Sequence, residues 1–254
     1  MAARRSGRRR RRGGFGILFK LLSFLLILGA LIAGCIVFFR VEEIRVSGSE
    51  IYTQEQIAAA SGVEKGDNLF LVGKVSTARK ILQELPYIKG VKPYWQLPDK
   101  LIIEVTDCTP VCAVEGQGGA LWLMDESCKL LEQVDAETAG QYARITGVTP
   151  LKPAAGSNLA VSVEESGKAD ALKQILLAAE DRKMTEKIGA IDLSGTTEII
   201  MTYEGRFRVR LPAYSDDFHK LVHTLEEIAA YLNAGQKGTV DLTGSRGRFI
   251  PDVP

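Results

Sequence analysis

The chain contains two histidines, His219 and His223. Their i, i+4 spacing on an amphipathic stretch puts both imidazoles on one helix face, where geometry would let them share a metal ion. A metalloprotease helix needs the Glu of H-E-x-x-H as its base, and here Lys220, Leu221 and Val222 intervene. The pair therefore reads as two solvated or half-buried side chains on a helix flank. Of the four cysteines, Cys35 lies in an uncharged run, and Cys108, Cys112 and Cys128 follow much later without any C-x-x-C spacing. Cys112 and Cys128 stand on neighbouring strand candidates across a turn, which leaves a disulfide and buried free thiols both open. There is no G-x-S-x-G elbow, no G-x-x-x-x-G-K-[ST] phosphate loop and no G-x-G-x-x-G after a strand. The carboxylate pairs Glu42/Glu43, Glu164/Glu165 and Asp216/Asp217 stand at chain joins and helix starts, where solvation and the helix dipole account for them. No catalytic, cofactor-binding or metal-ligating set is predicted; the pattern is that of a protein built to hold partners.

The elements that would carry such a role follow from periodicity. "VEEIRVSGS" alternates as a strand and stops at Ser47, Gly48 and Ser49. Thr53, with Gln56 three residues on, opens a helix that Gly62 ends. "VSTARKILQELP" predicts a second helix capped by Ser76, with Ile81, Leu82 and Leu85 on its buried side and Pro86 as its stop. "YIKGVKPYWQ" and "DKLIIEVTD" then pair across a Leu-Pro-Asp turn. Beyond Asp107 the chain turns strand-rich: "PVCAVEG", "ALWLMD", "CKLLEQV" and "YARITGV", then a helix over residues 168–182. Three alternating strands follow in "IGAIDLS", "EIIMTYEG" and "RFRVRLP". Residues 214–232 give the clearest helix, capped by Ser215, with Phe218, Leu221, Val222, Leu225, Ile228 and Leu232 along one face. "GTVDLTGSRGRFIP" reads as one final extended segment.

Charge divides the molecule. Arg4, Arg5, Arg8, Arg9, Arg10, Arg11, Arg12 and Lys20 precede any acid, whereas residues 40–254 hold 24 basic against 31 acidic residues and are net −7. Residues 21–39, "LLSFLLILGALIAGCIVFF", carry no charge, and about 20 apolar residues suffice to cross a bilayer. A cleaved signal peptide would have a shorter apolar region and a small-x-small site, whereas this run ends in the bulky "CIVFFR"; a retained single span is predicted. Basic residues stay on the cytoplasmic side of a span, so residues 40–254 are expected outside the cytoplasmic membrane. The Arg-rich tail is expected to set topology and to contact anionic lipid headgroups, with no role in nucleic-acid binding.

The stretch from "VEEIRVSGSEIYTQEQI" through "GDNLF", "ARKILQELPYIKGV" and "WQLPDKLIIEV" resembles a POTRA (polypeptide-transport-associated) domain of the FtsQ/DivIB bacterial cell-division family. The resemblance continues through "ITG", "AIDLSGTTEIIMTYEGRFRVRL", "DDFHKLVHTLEEIAAYL" and "TVDLTG", in the family's order. Departures are "DCTP" where relatives have a Glu-Arg-x-Pro-like sequence, Leu211 and Pro212 where a Gly-containing turn is usual, and Phe249 as the aromatic of the C-terminal segment. The implied fold is α+β: an N-terminal transmembrane helix, a POTRA domain of order β-α-α-β-β, then a mixed α/β domain with a mostly antiparallel sheet. The expected layout is a basic cytoplasmic tail at 1–20, the span at 21–39, the POTRA domain at 40–107 and a C-terminal β domain at 108–254.

The resemblance further implies a non-enzymatic, single-pass divisome scaffold at the division septum. Such a scaffold binds bitopic division proteins of the FtsB/DivIC and FtsL type and helps couple septal peptidoglycan synthesis to division. A POTRA-bearing transport or sensor component that binds extended polypeptides is the alternative. A last strand with no successor would offer unpaired backbone groups to a partner strand. The candidate binding residues are Gly244, Ser245, Arg246, Gly247, Arg248, Phe249 and Ile250, with the two arginines meeting acids and Phe249 and Ile250 making apolar contacts.

Overall fold

A computed structural model describes residues 14–252, with side chains from Leu18 onward; the predicted role of the Arg-rich tail falls on residues outside this range. Helix α1 spans Gly14–Phe38, 25 residues, or about 37 Å at 1.5 Å per residue. Its Leu18–Phe38 stretch is long and apolar enough to cross a membrane, and none of it packs inside the protein. No core exists there to absorb those side chains.

Next come β1 (Glu43–Ser47), α2 (Gln54–Ser61), α3 (Lys74–Glu84), β2 (Ile88–Gln96) and β3 (Lys100–Asp107). The three strands form a sheet of order β1-β3-β2, parallel between β1 and β3 and antiparallel between β2 and β3. Leu101, Ile103 and Val105 alternate inward along β3 and meet Ile57 of α2 and Ile81 of α3. Thr53 and Gln56 close a reciprocal capping box at the start of α2, and Gly62 ends it in the left-handed conformation. The predicted cap of α3 is corrected. That helix starts at Lys74 with Gly73 at its N-cap, and the Ser76 hydroxyl turns back to donate to the Gly73 carbonyl at 2.7 Å.

The remaining elements are β4 (Cys112–Glu115), β5 (Leu121–Met124), β6 (Leu130–Val134), a single-turn α4 (Ala136–Ala139), β7 (Ala143–Thr146) and α5 (Ser166–Asp181). They continue with β8 (Ile188–Asp192), β9 (Glu198–Tyr203), β10 (Phe207–Pro212), α6 (Phe218–Tyr231), β11 (Gly238–Asp241) and β12 (Arg248–Pro251). Nine strands join in the order β12-β11-β10-β9-β8-β7-β4-β5-β6. The β10–β11, β7–β8 and β4–β7 contacts are parallel, so antiparallel pairs predominate, and the fold is α+β. Helices α5 and α6 cover one face. Leu172, Ile175, Leu176, Phe218, Val222 and Leu225 pack there against Val114, Ile145, Met201, Phe207, Val209 and Val240, each buried side chain contributing about 1.5–3 kcal/mol.

Two helix starts differ from their sequence expectations. Asp217, not Ser215, caps α6 by accepting from the Lys220 N–H at 2.9 Å, while the Ser215 hydroxyl accepts from the Asp217 N–H at 3.1 Å. Helix α5 opens at Ser166, after a 3-10 turn at Val163–Glu165. The largest difference is at the C-terminal end. The expected single extended segment folds back on itself, β11 lying parallel to β10 and β12 returning antiparallel to β11.

A candidate partner-binding edge

The residues first weighed for chemistry have structural surroundings. All four cysteines are free thiols, with Cys108, Cys112 and Cys128 buried. Burial, with Asp125 nearby, pushes Cys108 up to about 12; Cys128 likewise rises to about 12, and Cys112 goes well above the usual thiol range. Thiols so shifted carry little nucleophilic thiolate at neutral pH. The Arg182 guanidinium is 3.0 Å from Nδ1 of His223 and 2.8 Å from Glu226, while His219 lies 3.7 Å from Asp181. Among the described residues no cluster of three His, Cys, Asp or Glu side chains is placed to hold a metal ion.

The nine-stranded sheet has two margins with different treatment. Beside β6, the backbone of residues 156–157 closes part of the edge: the Leu130 N–H donates to the Ser157 carbonyl and the Gly156 N–H to the Leu130 carbonyl, both at 2.8 Å. At β12, no further strand among the described residues follows. The Asp252 N–H donates inward to the Lys237 carbonyl at 3.0 Å. Antiparallel alternation then directs the backbone groups of Ile250 and Arg248 to β11 and those of Phe249 outward. Pro251, the other outward position, has no N–H to offer.

A charge ladder runs toward this margin. The Arg210 guanidinium bonds Glu198 through Nη2 at 2.7 Å and Asp241 through Nη1 at 3.1 Å, and Asp241 stands opposite Arg248 in the β11–β12 register. Asp241 is held below the usual carboxylate range, first by the Thr243 hydroxyl, which donates to it at 2.6 Å, and then by the Thr243 N–H. The signs alternate from Glu198 on β9 to Arg248 on β12. Among the described residues Arg246 and Arg248 close no ion pair, and both are exposed.

Of the seven predicted binding residues, Arg248, Phe249 and Ile250 lie in β12, and Gly244, Ser245, Arg246 and Gly247 form the turn before it. Phe249 turns to the helix-covered face and meets Phe207 edge-on at 6.0 Å, so its ring already serves the core; Ile250 is exposed. Gly247 lies so close to α6 that a Cβ there would stand 2.9 Å from both Ile228 and Thr224. This contact fixes the turn against the helix. Sequence reasoning missed Glu198, Arg210 and Asp241, whose alternation with apolar neighbours marked them as solvent-facing but whose cross-strand register no local pattern encodes.

The profile of the POTRA domain, FtsQ-type, matches residues 39–107. Cell division protein DivIB of Brevibacillus brevis is 32% identical over 128 residues, which cover 50% of this chain and 48% of that protein. The chain thus spans about half the length of this relative. Cell division protein FtsQ of Corynebacterium glutamicum is 24% identical over 69% of this chain and 72% of its own. Cell division protein DivIB of Clostridium acetobutylicum is 26% identical over 81% and 80%. With a three-stranded β-α-α-β-β unit at the matched residues and a mixed sheet after it, residues 39–107 form a POTRA domain of the FtsQ type, in a chain similar to the FtsQ and DivIB cell division proteins.

Proposed function

We propose that this protein is a single-pass divisome scaffold. Residues 1–20 form its cytoplasmic tail, 21–39 its span, 40–107 its POTRA domain and 108–254 a C-terminal β domain outside the cytoplasmic membrane. Its partners are bitopic division proteins of the FtsB/DivIC and FtsL type, and it acts at the septum to help couple peptidoglycan synthesis to division. The Arg-rich tail sets topology and touches anionic headgroups. The observation that carries the reading is the β12 margin, onto which no further strand folds among the described residues and where the charge ladder stops on Arg248, without an ion pair among those residues.

A partner strand added there would take backbone bonds from Phe249, place an acid against Arg248 and lay an apolar side chain on Ile250. Because the partner is confined to the same membrane, its effective concentration is high and a short augmenting strand suffices. The test is capture of such a partner by the full-length chain in membranes. Arg248→Glu is expected to weaken capture about tenfold, equivalent to about 1.4 kcal/mol, with recovery when an acidic partner residue is changed to Lys. Ile250→Asp should act in the same direction. Undiminished capture by both variants would remove β12 as the site, and even envelope fluorescence of a tagged chain, with no midcell band, would remove the septal role.

A further inference from the structure

We propose that the POTRA domain lies on the outer leaflet of the membrane its own helix crosses, with Phe70, Leu71 and Val75 in the interfacial zone and Lys74, Arg79 and Lys80 at the lipid phosphates. The inference rests on the reading of α1 as a span. It adds an orientation and a lipid-binding face that partner binding at β12 does not require.

The joint between helix and domain is bonded throughout. The last carbonyls of a helix run short of intrahelical donors; the Asn68 side-chain amide donates to that of Ile36 at 3.2 Å and, at 3.4 Å, to that of Cys35, which also accepts from the Phe39 N–H at 3.1 Å. The Leu69 N–H donates to the Phe39 carbonyl at 2.9 Å, the Val41 N–H to that of Asp67 at 2.8 Å and the Gly66 N–H to that of Val41 at 2.8 Å. Residues 66–69 therefore run alongside residues 39–41 as a fixed pair. Cys35 is three residues before the end of the helix, a rise of about 4.5 Å. A loop bonded at that depth stands level with the last turn of the span, inside the headgroup and upper acyl region when the span is inserted.

The side chains at that level suit lipid. An aromatic run leaves the helix end edge to face: Phe38 to Phe39 at 5.4 Å, Phe39 to Phe70 at 4.9 Å and Phe70 to Trp95 at 5.5 Å. The Lys74 ammonium sits 4.2 Å from the centroid of the Trp95 ring, so the rim of this run is cationic. Leu71 is 81% exposed and Val75 72% exposed, a placement that costs free energy in water and gains it in an interface. From Asn68 to Gln83 the sequence has three cations and no acid. Aromatic rings at the headgroup level, aliphatic side chains just below and Lys or Arg above make an interfacial anchor, and this one continues directly from the span.

Depth-dependent quenching tests the proposal on the full chain in phosphatidylcholine/phosphatidylglycerol nanodiscs containing acyl-brominated lipid. Single reporters are placed in a Trp95→Phe, Trp122→Phe background: Leu71→Trp and Val75→Trp on the proposed face, Leu28→Trp within the span, and Val163→Trp, at a residue 91% exposed on the larger domain. Leu28→Trp should be quenched most strongly, and Leu71→Trp and Val75→Trp about threefold more than Val163→Trp, as expected for rings at the acyl boundary. If the two face reporters behave like Val163→Trp while Leu28→Trp is quenched, the lipid face is overturned and the span stands. If Leu28→Trp is itself unquenched, the span reading falls and takes this proposal with it. Shielding of Leu71→Trp that arises only when another bitopic protein is added would assign the face to a protein and likewise overturn it.

Discussion

Asp125 shows how much one side chain organises. It is fully buried, and its Oδ1 accepts from the Ser127 N–H at 2.9 Å, the Ser127 hydroxyl at 2.8 Å and the Lys129 N–H at 2.8 Å. These bonds close the turn between β5 and β6, in which Cys128 adopts a positive φ of 64°. That conformation is why the expected strand "CKLLEQV" begins only at Leu130. Hydrogen bonds to a charged acceptor are worth more than neutral ones, so Asp125→Ala should destabilise the protein by roughly 2–3 kcal/mol. Asp125→Asn, which keeps an acceptor oxygen, should cost about 1 kcal/mol. Urea unfolding of the two variants checks both values, and equal losses would show that filling the space matters more than accepting the bonds. In sequence, an Asp two residues before a Ser in a short gap between strands is a common turn cue, and nothing local says that it is buried.

At the scale of elements, strands with clean alternation were legible. Leu101, Ile103 and Val105 on β3 and Phe207, Val209 and Leu211 on β10 all face their cores, as period two requires. The C-terminal segment was not, because β11 and β12 are four residues each and a pattern that short cannot be told from one interrupted strand. What separates them is tertiary: the turn at Gly247 needs the surface of α6, and β11 needs β10 as its parallel neighbour. The candidate site was thus located in sequence by its end position, while its direction and partner strand came from packing. Gly238 tests this hairpin. A Cβ there would lie 2.3 Å from the Ile250 carbonyl oxygen and 2.9 Å from Cα of Pro251, both backbone atoms, so Gly238→Ala must push β12 off β11 at a cost of about 1–3 kcal/mol. Hydrogen exchange should then show the Ile250 amide losing protection about tenfold while β9 keeps its own, following the local opening of one edge. Unchanged protection at Ile250 would mean that Phe249 and the Gly247 turn hold β12 without the ladder.

The whole molecule depends on the joint between its two sheets. The chain crosses at Cys108, whose N–H donates to the Tyr87 carbonyl at 2.9 Å, and three side chains tie the units beside it. The Tyr87 hydroxyl donates to Glu132 at 2.6 Å, Lys89 pairs with Glu126 at 2.9 Å and the buried Lys129 ammonium donates to the Ile88 carbonyl at 2.8 Å. Burial first and then Glu132 push the Tyr87 phenol upward, so it remains a donor across the physiological range. Burial draws Lys129 down, the mark of a charge held at some cost for position. If the joint transmits the orientation of a membrane-bound POTRA domain to the β12 margin, it has to be stiff, and its polar ties are the parts that can be removed without opening either core. Tyr87→Phe combined with Lys129→Met should remove about 2–4 kcal/mol of coupling, each lost bond counting about 1–2 kcal/mol. The three-stranded unit has the smaller core, Val41 to Val105 in one cluster against the larger cluster under α5 and α6, and smaller cores are the less stable. Calorimetry of the double variant is therefore expected to resolve two transitions, the first belonging to the three-stranded unit, where the unaltered protein unfolds in one. A single transition in the variant would place the coupling in the apolar contact of Tyr87 with the cluster around Cys108 and Leu131, and the polar ties would then set orientation without setting cooperativity.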